Sequence, residues 1–258
     1  MSDVAHPRGW HCDGEKGTSV LEAMVAATLG AILIGAALDV FVTHHAHFQG
    51  HKAKAELQQD IRGGVHLLAS ELRLAGVGTL PEQSLLSAMG PHEIEFRANV
   101  NDVRGTLVAA AASGQDWLQT RPGAGWAKGK TVVLCGLSAC EEHVLTRDGS
   151  SGRLALSGYL TRDFPAGSQV EVVNRVRYYL SRRDPQNAKL MREVDRGANP
   201  LIEHVEDFSL AYLNEGGQPA AHVNEVRLVR LNLKSSGIDG RGGRLSRSHT
   251  QEMGVRAL

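Results

Sequence analysis

The sequence is poor in the residues that define several protein classes. Its three cysteines are too few for a disulfide scaffold. Aromatic residues make up 5%, which argues against a stacking platform for single-stranded nucleic acid. The 28 basic and 28 acidic residues cancel, so the chain lacks the positive excess that a broad nucleic-acid interface needs. No internal repeat indicates a solenoid or a propeller, whereas 42% apolar residues argue for a folded core.

Catalytic patterns are present only in incomplete form. Residues 124–131 resemble a phosphate-binding loop, but Ala124 replaces the first glycine and the following residues read as a strand, so a turn before a strand fits better. His92 lacks the second histidine of a zinc-protease motif, and residues 136–140 lack the last glycine of a nucleophile elbow. We therefore predict a protein that is not an enzyme and has no cofactor.

Four histidines follow the most apolar part of the chain, namely His44, His45, His47 and His51. Their spacing places some of them on one helix face, which a metal site would require. No carboxylate or cysteine lies close by, so neutral histidines at a membrane interface are the favoured interpretation and metal ligation is the alternative. We predict no metal site.

One segment has the length and composition of a membrane span. Residues 23–38 contain no charge, and with their apolar flanks the stretch reaches about 20 residues, roughly one bilayer. Its polar interruptions are Glu22 and Asp39. An ordinary signal anchor is the simplest interpretation. Glu22 is unusual, because a charge in lipid costs ~2.5–3.5 kcal/mol and therefore tends to mark function.

The apolar pattern continues beyond this span at three- and four-residue steps, typical of an amphipathic helix. The residues of this stripe are Leu57, Ile61, Val65, Leu68, Leu72 and Ala75. The pattern predicts one helix from about Ser19 to Ala75, with a soft point at Gly63 and Gly64.

The residues before the apolar run carry a recognisable signal. A polar leader ends in Lys16-Gly17, and Glu22 is the fifth residue after that glycine. This arrangement resembles the class III signal of type IV prepilins. Segments 70–78 and, more weakly, 176–233 are similar to PilW-like minor pilins, whereas residues 99–169 match nothing in that family.

The resemblance implies a set of site residues. Residues 1–17 would be a leader with Lys16 as its basic residue, cut by the prepilin peptidase between Gly17 and Thr18. Thr18 would then be N-methylated, although phenylalanine is usual at that position. Glu22 would act in assembly. A helix of residues 18–78, spanning the membrane at about 20–42, would anchor the chain once in the bacterial inner membrane.

The resemblance also implies location and partners. The C-terminal domain would be periplasmic, and after assembly the subunit would lie in the pilus, or fimbrium, which serves functions such as twitching motility. Its partners would be the prepilin peptidase, the major pilin, other minor pilins, the inner-membrane assembly platform and membrane lipid, with no direct binding of nucleic acid. A pseudopilin of a type II secretion system is the close alternative, and a membrane-anchored enzyme or sensor is the distant one.

The remaining chain alternates like short strands, as in residues 93–97, 170–180 and 208–212. This predicts an α+β fold of the type IV pilin kind, in which a long N-terminal helix packs on a C-terminal antiparallel β-sheet within residues 79–234. A one-residue slip of the apolar phase in residues 226–234 predicts a bulge. Glycine, serine and arginine in residues 235–258 predict a flexible tail, with a basic lipid- or partner-binding tail as the alternative.

Two cysteines would remain after leader removal, because Cys12 lies in the leader. Cys135 and Cys140 would then face an oxidising compartment, and the four residues between them can form a hairpin tip. We predict a disulfide between them, and two free buried thiols are the alternative.

Overall fold

A computed structural model of the chain describes residues 19–122, 125–238 and 242–255. In these residues one long helix, α1 (Val20–Leu72), precedes thirteen strands and a short 3-10 turn at Val223–Glu225. The strands are β1 (Leu86–Gly90), β2 (Glu93–Ala98), β3 (Arg104–Leu107), β4 (Trp117–Arg121), β5 (Thr131–Cys135), β6 (Cys140–Val144), β7 (Arg153–Ala155), β8 (Gln169–Ser181), β9 (Lys189–Val194), β10 (Gly197–Ile202), β11 (Val205–Leu213), β12 (Leu228–Ile238) and β13 (Arg244–Gly254). The fold is α+β with antiparallel sheets, and the chain divides into compact units at residues 1–50 and 51–258.

The first unit contains the apolar half of α1. An 18-residue window of this helix has a mean hydropathy of 2.2, and none of its residues is buried. Large side chains such as Leu21, Ile32 and Phe41 are exposed. A helix of this length and composition can cross a bilayer, so the prediction of one membrane-length apolar helix is confirmed.

The second unit contains the amphipathic half of α1. The predicted stripe from Ile61 to Leu72 is buried in the main hydrophobic core, with Ala75 just beyond the helix. The helix ends at Leu72, slightly before the predicted end. Gly76 follows with φ +82°, a backbone conformation that favours glycine, and its N–H donates to the Arg97 carbonyl of β2 at 2.8 Å.

The two adjacent glycines of α1 have different surroundings. The helix continues through both of them. A Cβ on Gly63 would have nothing within 4 Å, whereas a Cβ on Gly64 would lie 2.5 Å from Ile202 Cδ1 of β10. Gly64 therefore lets the helix approach the sheet closely. The predicted flexible point of the helix is instead, at Gly64, a close packing contact with β10.

The larger sheet is organised around β8. Its C-terminal half pairs with β2 on one side and β9 on the other. Its N-terminal half pairs with β3 and β5 in the same way. One half of β8 therefore belongs to the core beneath α1, and the other half belongs to a second hydrophobic cluster that includes Trp126, Leu134 and Phe164. This second cluster occupies the region that the family resemblance left unexplained.

The smaller sheet has the order β11-β12-β13. The bulge predicted in residues 226–234 is wrong, because β12 pairs with β11 without a shift from Lys234 to Leu228. The slip in apolar phase lies at the first step of the strand, where Leu228 is half-buried and Val229 is buried, just after Val226 caps the 3-10 turn. The irregular step in this pairing lies in β11, between Val205 and Asp207.

The prediction of a flexible tail at residues 235–258 is also wrong for its described part. Residues 235–238 complete β12, and β13 pairs with β12 along its whole length. Met253 and Val255 are buried in the main core. Composition was misleading here because a backbone ladder with a neighbouring strand can order a polar, serine-rich segment. Residues 239–241 and 256–258 lie outside the described part.

Candidate functional site

The structure describes the predicted assembly residue, Glu22, but not the predicted processing site. Lys16, Gly17 and Thr18 are outside the described residues. Glu22 lies in the first turn of α1. The Ser19 hydroxyl accepts a hydrogen bond from the Leu21 N–H at 3.3 Å, so the helix begins with a side-chain cap.

Glu22 is surrounded by apolar surface. Its neighbours Leu21, Met24 and Val25 are exposed, and Glu22 forms no ion pair within the part of the chain that the structure describes. The positive end of the helix dipole favours a carboxylate there, but only by about 0.3–1 kcal/mol at an exposed site. In lipid or in a protein interface this carboxylate would therefore need a cation from elsewhere.

A buried polar cluster is formed at the end of α1 by Glu71, Tyr178 and Arg192. The hydroxyl of Tyr178, on β8, donates a hydrogen bond to Glu71 Oε2 at 2.5 Å. Arg192 of β9 donates through Nε to both carboxylate oxygens, at 3.1 and 3.0 Å, and through Nη2 to Oε1. Glu71 and Tyr178 are buried. The carboxylate thus has partners on both oxygens, which a buried charge requires.

The register of the sheet explains why these donors converge. Tyr178 and Arg192 are directly paired across β8 and β9, so their side chains point to the same face of the sheet. The ring of Tyr178 also stacks on Phe96, with ring centroids 6.4 Å apart. Glu71 occupies the buried face of α1 beside Leu68 and therefore meets both donors.

The cluster holds defined protonation states. Burial, together with the hydrogen bond to Glu71, raises the pKa of Tyr178 well above its usual range. The hydrogen bond to Glu71 raises the pKa of Arg192. A neutral phenol and a charged guanidinium therefore both donate to Glu71, and this arrangement fixes the rotation and depth of the helix end against β8 and β9.

Sequence reasoning missed this cluster. All three residues lie within residues 70–78 and 176–233, but the sequence pattern assigns them no contact with one another. One signal was present, because Glu71 stands three residues after Leu68 on the apolar stripe. A carboxylate on a buried helix face usually has a partner, yet the partner strands could not be identified without the register.

A second polar contact involves Asn174, the polar exception in the apolar pattern of β8. Its Nδ2 donates to Asp195 Oδ2 at 2.7 Å, and Lys130 Nζ lies 2.6 Å from the same oxygen. Burial alone would raise the pKa of Asp195, but hydrogen bonds from Lys130 and Asn174 outweigh it and lower the pKa. This contact ties the β9–β10 turn to β8.

The two cysteines of the predicted hairpin are joined by a disulfide. Cys135 ends β5, Cys140 begins β6, and the two are directly paired with a Cα–Cα distance of 4.1 Å. At the tip, Leu137 is 99% exposed. Glu142 on β6 binds Arg97 at 2.9 Å and accepts a hydrogen bond from Gln83 at 3.2 Å, which anchors the base of the hairpin.

Two other candidate sites in the sequence are the loop that resembles a phosphate site and the four histidines after the apolar run. Thr131–Cys135 is a strand, as expected, and Ala124, the first residue of the loop that resembles a phosphate site, lies outside the described part. His44, His45, His47 and His51 lie on α1. Within residues 19–122, 125–238 and 242–255, no group of three or more histidine, cysteine or acidic side chains is arranged to hold a metal ion.

The comparisons with known proteins add no identification. No family model matches the sequence. No curated protein matches it significantly.

Proposed function

We propose that this chain is a minor pilin of the PilW type, a non-enzymatic prepilin that is cut and then incorporated into a type IV pilus or primes its assembly. The supporting observation is one uninterrupted helix with two different surfaces. Residues 20–50 expose an apolar surface of membrane length, and residues 61–72 of the same helix form part of the core of a β-rich domain. A subunit that is first anchored in lipid and later packed in a filament needs both surfaces.

Glu22 has the central role in this proposal. Before assembly the membrane isolates its carboxylate from cations, which is unfavourable. In a filament, the N-terminal amine of a neighbouring subunit, at Thr18 after cleavage, would supply the missing charge. An opposed charge offsets the burial penalty only where the two helices are correctly staggered, so the pair would select the assembled register.

Mass spectrometry of the mature N-terminus in membranes tests the proposed processing. We expect the wild-type chain to begin at Thr18 and to carry an N-methyl group. Gly17→Val should block cleavage, because the peptidase of this family needs a minimal side chain there. Gly14→Val is the matched control and should be cut normally. An intact N-terminus in the wild type would refute the proposal.

The assembly role of Glu22 needs a separate experiment, since cleavage can occur without it. Glu22→Ala should leave insertion and cleavage nearly normal while lowering recovery of the subunit in sheared filaments. Glu22→Asp should be intermediate, because the charge remains but the side chain is shorter. Asp39→Asn, at the other end of the apolar stretch, is the control and should assemble normally. Equal recovery of every variant by immunoblot would show that Glu22 has no part in assembly.

Deletion of the gene separates the proposal from its alternatives. Loss of surface pili with normal secretion of enzymes supports the minor pilin. The reverse phenotype identifies a pseudopilin of type II secretion. A membrane-anchored enzyme or sensor would leave both unchanged and would keep its uncut N-terminus.

A further inference from the structure

Strand β13 forms an outer edge of the smaller sheet. It pairs with β12 through eleven consecutive residue pairs, from Arg244 to Gly254, without a register shift. Within the described residues nothing pairs with its other side. An edge of this kind presents a row of unpaired backbone N–H and C=O groups to an incoming strand.

The register identifies the residues that carry these groups. The Val255 N–H donates to the Arg227 carbonyl at 2.9 Å, one step beyond the pair of Leu228 with Gly254. In an antiparallel pair the residues that bond to the neighbour alternate with those that point away. The odd-numbered residues of β13 therefore bond to β12. The backbone groups of Ser246, Ser248, Thr250 and Glu252 point outward.

Other outer strands are protected in ways that β13 is not. Proteins blunt sheet edges with short strands, prolines, bulges or covering loops. Strand β10 contains Pro200 and a register shift, and β1 is short and also shifted. The edge of β11 is covered, because Val205 and Leu210 donate to the carbonyls of Ala188 and Pro91 at 2.8 and 2.9 Å. Strand β13 has eleven residues, no proline and no bulge.

The charges along this edge are uneven. Near its N-terminal end, Arg244 and Lys234 share one acid, Glu206, each at 2.8 Å. Arg247 is exposed and makes no ion pair in the described part of the chain. At the other end Glu252 is paired with Arg230 at 2.7 Å. Among the described residues, the N-terminal half of the edge therefore has one positive charge, on Arg247, that lacks an ion-pair partner, whereas the charges of Glu252 and Arg230 in the C-terminal half balance.

We propose that the outer edge of β13 binds an extended, acidic strand from another protein. The backbone groups of Ser246, Ser248, Thr250 and Glu252 would extend the sheet by main-chain hydrogen bonds, which supply affinity with little dependence on sequence. Acidic side chains of the incoming strand would lie beside Arg244 and Arg247 and decide which strands bind. This inference goes beyond the proposed pilin function and does not depend on it.

The test uses the full chain in detergent micelles and two synthetic nine-residue peptides of alternating valine and threonine. One peptide carries glutamate where an antiparallel strand would meet Arg244 and Arg247, and the other carries lysine there. Hydrogen exchange resolved to single residues is measured with and without peptide. We expect the acidic peptide to slow exchange at Ser246, Ser248 and Thr250 by about tenfold or more, since these amides become hydrogen-bonded.

Ser248→Pro is the blocking variant. Proline removes an N–H that points away from β12, so it should prevent strand addition without breaking a bond in the existing sheet. Ser248→Ala is its matched control and should bind like the wild type. Thermal unfolding of both variants verifies that the sheet remains folded, and Thr250→Pro provides a second blocking variant if Ser248→Pro fails to fold.

Each outcome decides the proposal. Binding of the acidic peptide that is lost in the proline variant and absent with the lysine peptide supports it. Equal binding of both peptides overturns the proposed partner chemistry. Absence of protection with either peptide overturns the edge as a strand acceptor. Protection that rises with protein concentration alone, and is lost in the proline variant, identifies a second copy of this chain as the partner and also overturns it.

Discussion

Replacement of Glu71 by glutamine tests whether the cluster of Glu71, Tyr178 and Arg192 holds the helix to the sheet. Glutamine has nearly the same shape as glutamate but carries no charge. Its amide N–H₂ is a donor and would face Tyr178 and Arg192, which are themselves donors. Breaking a buried ion pair costs about 3–5 kcal/mol when one partner is removed. The Arg192 side chain is 26% exposed and can be partly hydrated. We therefore expect the free energy of unfolding to fall by about 3 kcal/mol, at the low end of that range.

Urea and thermal unfolding of the full chain in detergent measure this loss. For a unit of about 200 residues, 3 kcal/mol corresponds to a fall in Tm of roughly 6–12 °C. Glu252→Gln is the control, because it removes the same charge from a pair whose side chains are 50% and 46% exposed. That variant should change stability by less than about 1 kcal/mol. Equal effects of the two variants would refute the argument from burial.

A double-mutant cycle isolates the contact between Glu71 and Arg192. Arg192→Met keeps much of the packing surface of the side chain and removes its charge. The double variant Glu71→Gln/Arg192→Met should be about 2 kcal/mol more stable than the sum of the two single effects predicts. The reason is that methionine leaves no unpaired guanidinium opposite the new amide. Strict additivity would show that the two residues do not interact in solution.

Alkaline unfolding tests the role of Tyr178 in the same cluster. Its pKa is raised above the ordinary value of 10.0, so the folded state holds this proton after an unfolded tyrosine has lost it. The contribution of the phenol is therefore fully present below about pH 10 and falls as the pH rises further, by about 1.4 kcal/mol per unit. Tyr178→Phe should unfold less steeply with pH in this range. An unchanged slope would contradict the assignment.

Three further predictions concern the helix, the hairpin and the domain boundary. Gly63→Ala should stabilise the protein by about 0.8–1 kcal/mol through helix propensity, whereas Gly64→Ala should not, because its new methyl group meets a side chain of β10; equal gains in urea unfolding would refute this contact. Replacing Cys135 and Cys140 with serine should cost about 2 kcal/mol without loss of the fold, and free thiols in oxidised wild-type protein would contradict the disulfide. A fragment from Ala53 onward should be soluble and folded by circular dichroism, and an unfolded fragment would show that the β-rich unit depends on the apolar helix.

Local periodicity determined the elements that could be predicted from the sequence. The apolar run of α1 and its later stripe follow from helical spacing, which acts over neighbouring turns. Alternation in residues 93–97 and 170–180 likewise predicted β2 and β8, because side chains alternate between the faces of a strand. The cysteine spacing led to the disulfide-bonded hairpin for the same reason, since the two residues are close in the chain.

Only the tertiary structure decided the contacts between distant segments. The register of β8 and β9 brings Tyr178 and Arg192 together beneath Glu71, and no local pattern encodes that meeting. Strand β13 escaped prediction because its polar composition reads as a loop, whereas its order comes from the ladder with β12. The roles of Gly64 and of the β13 edge also depend on which strand lies opposite, and pairing between distant residues is settled by the packing of the whole domain.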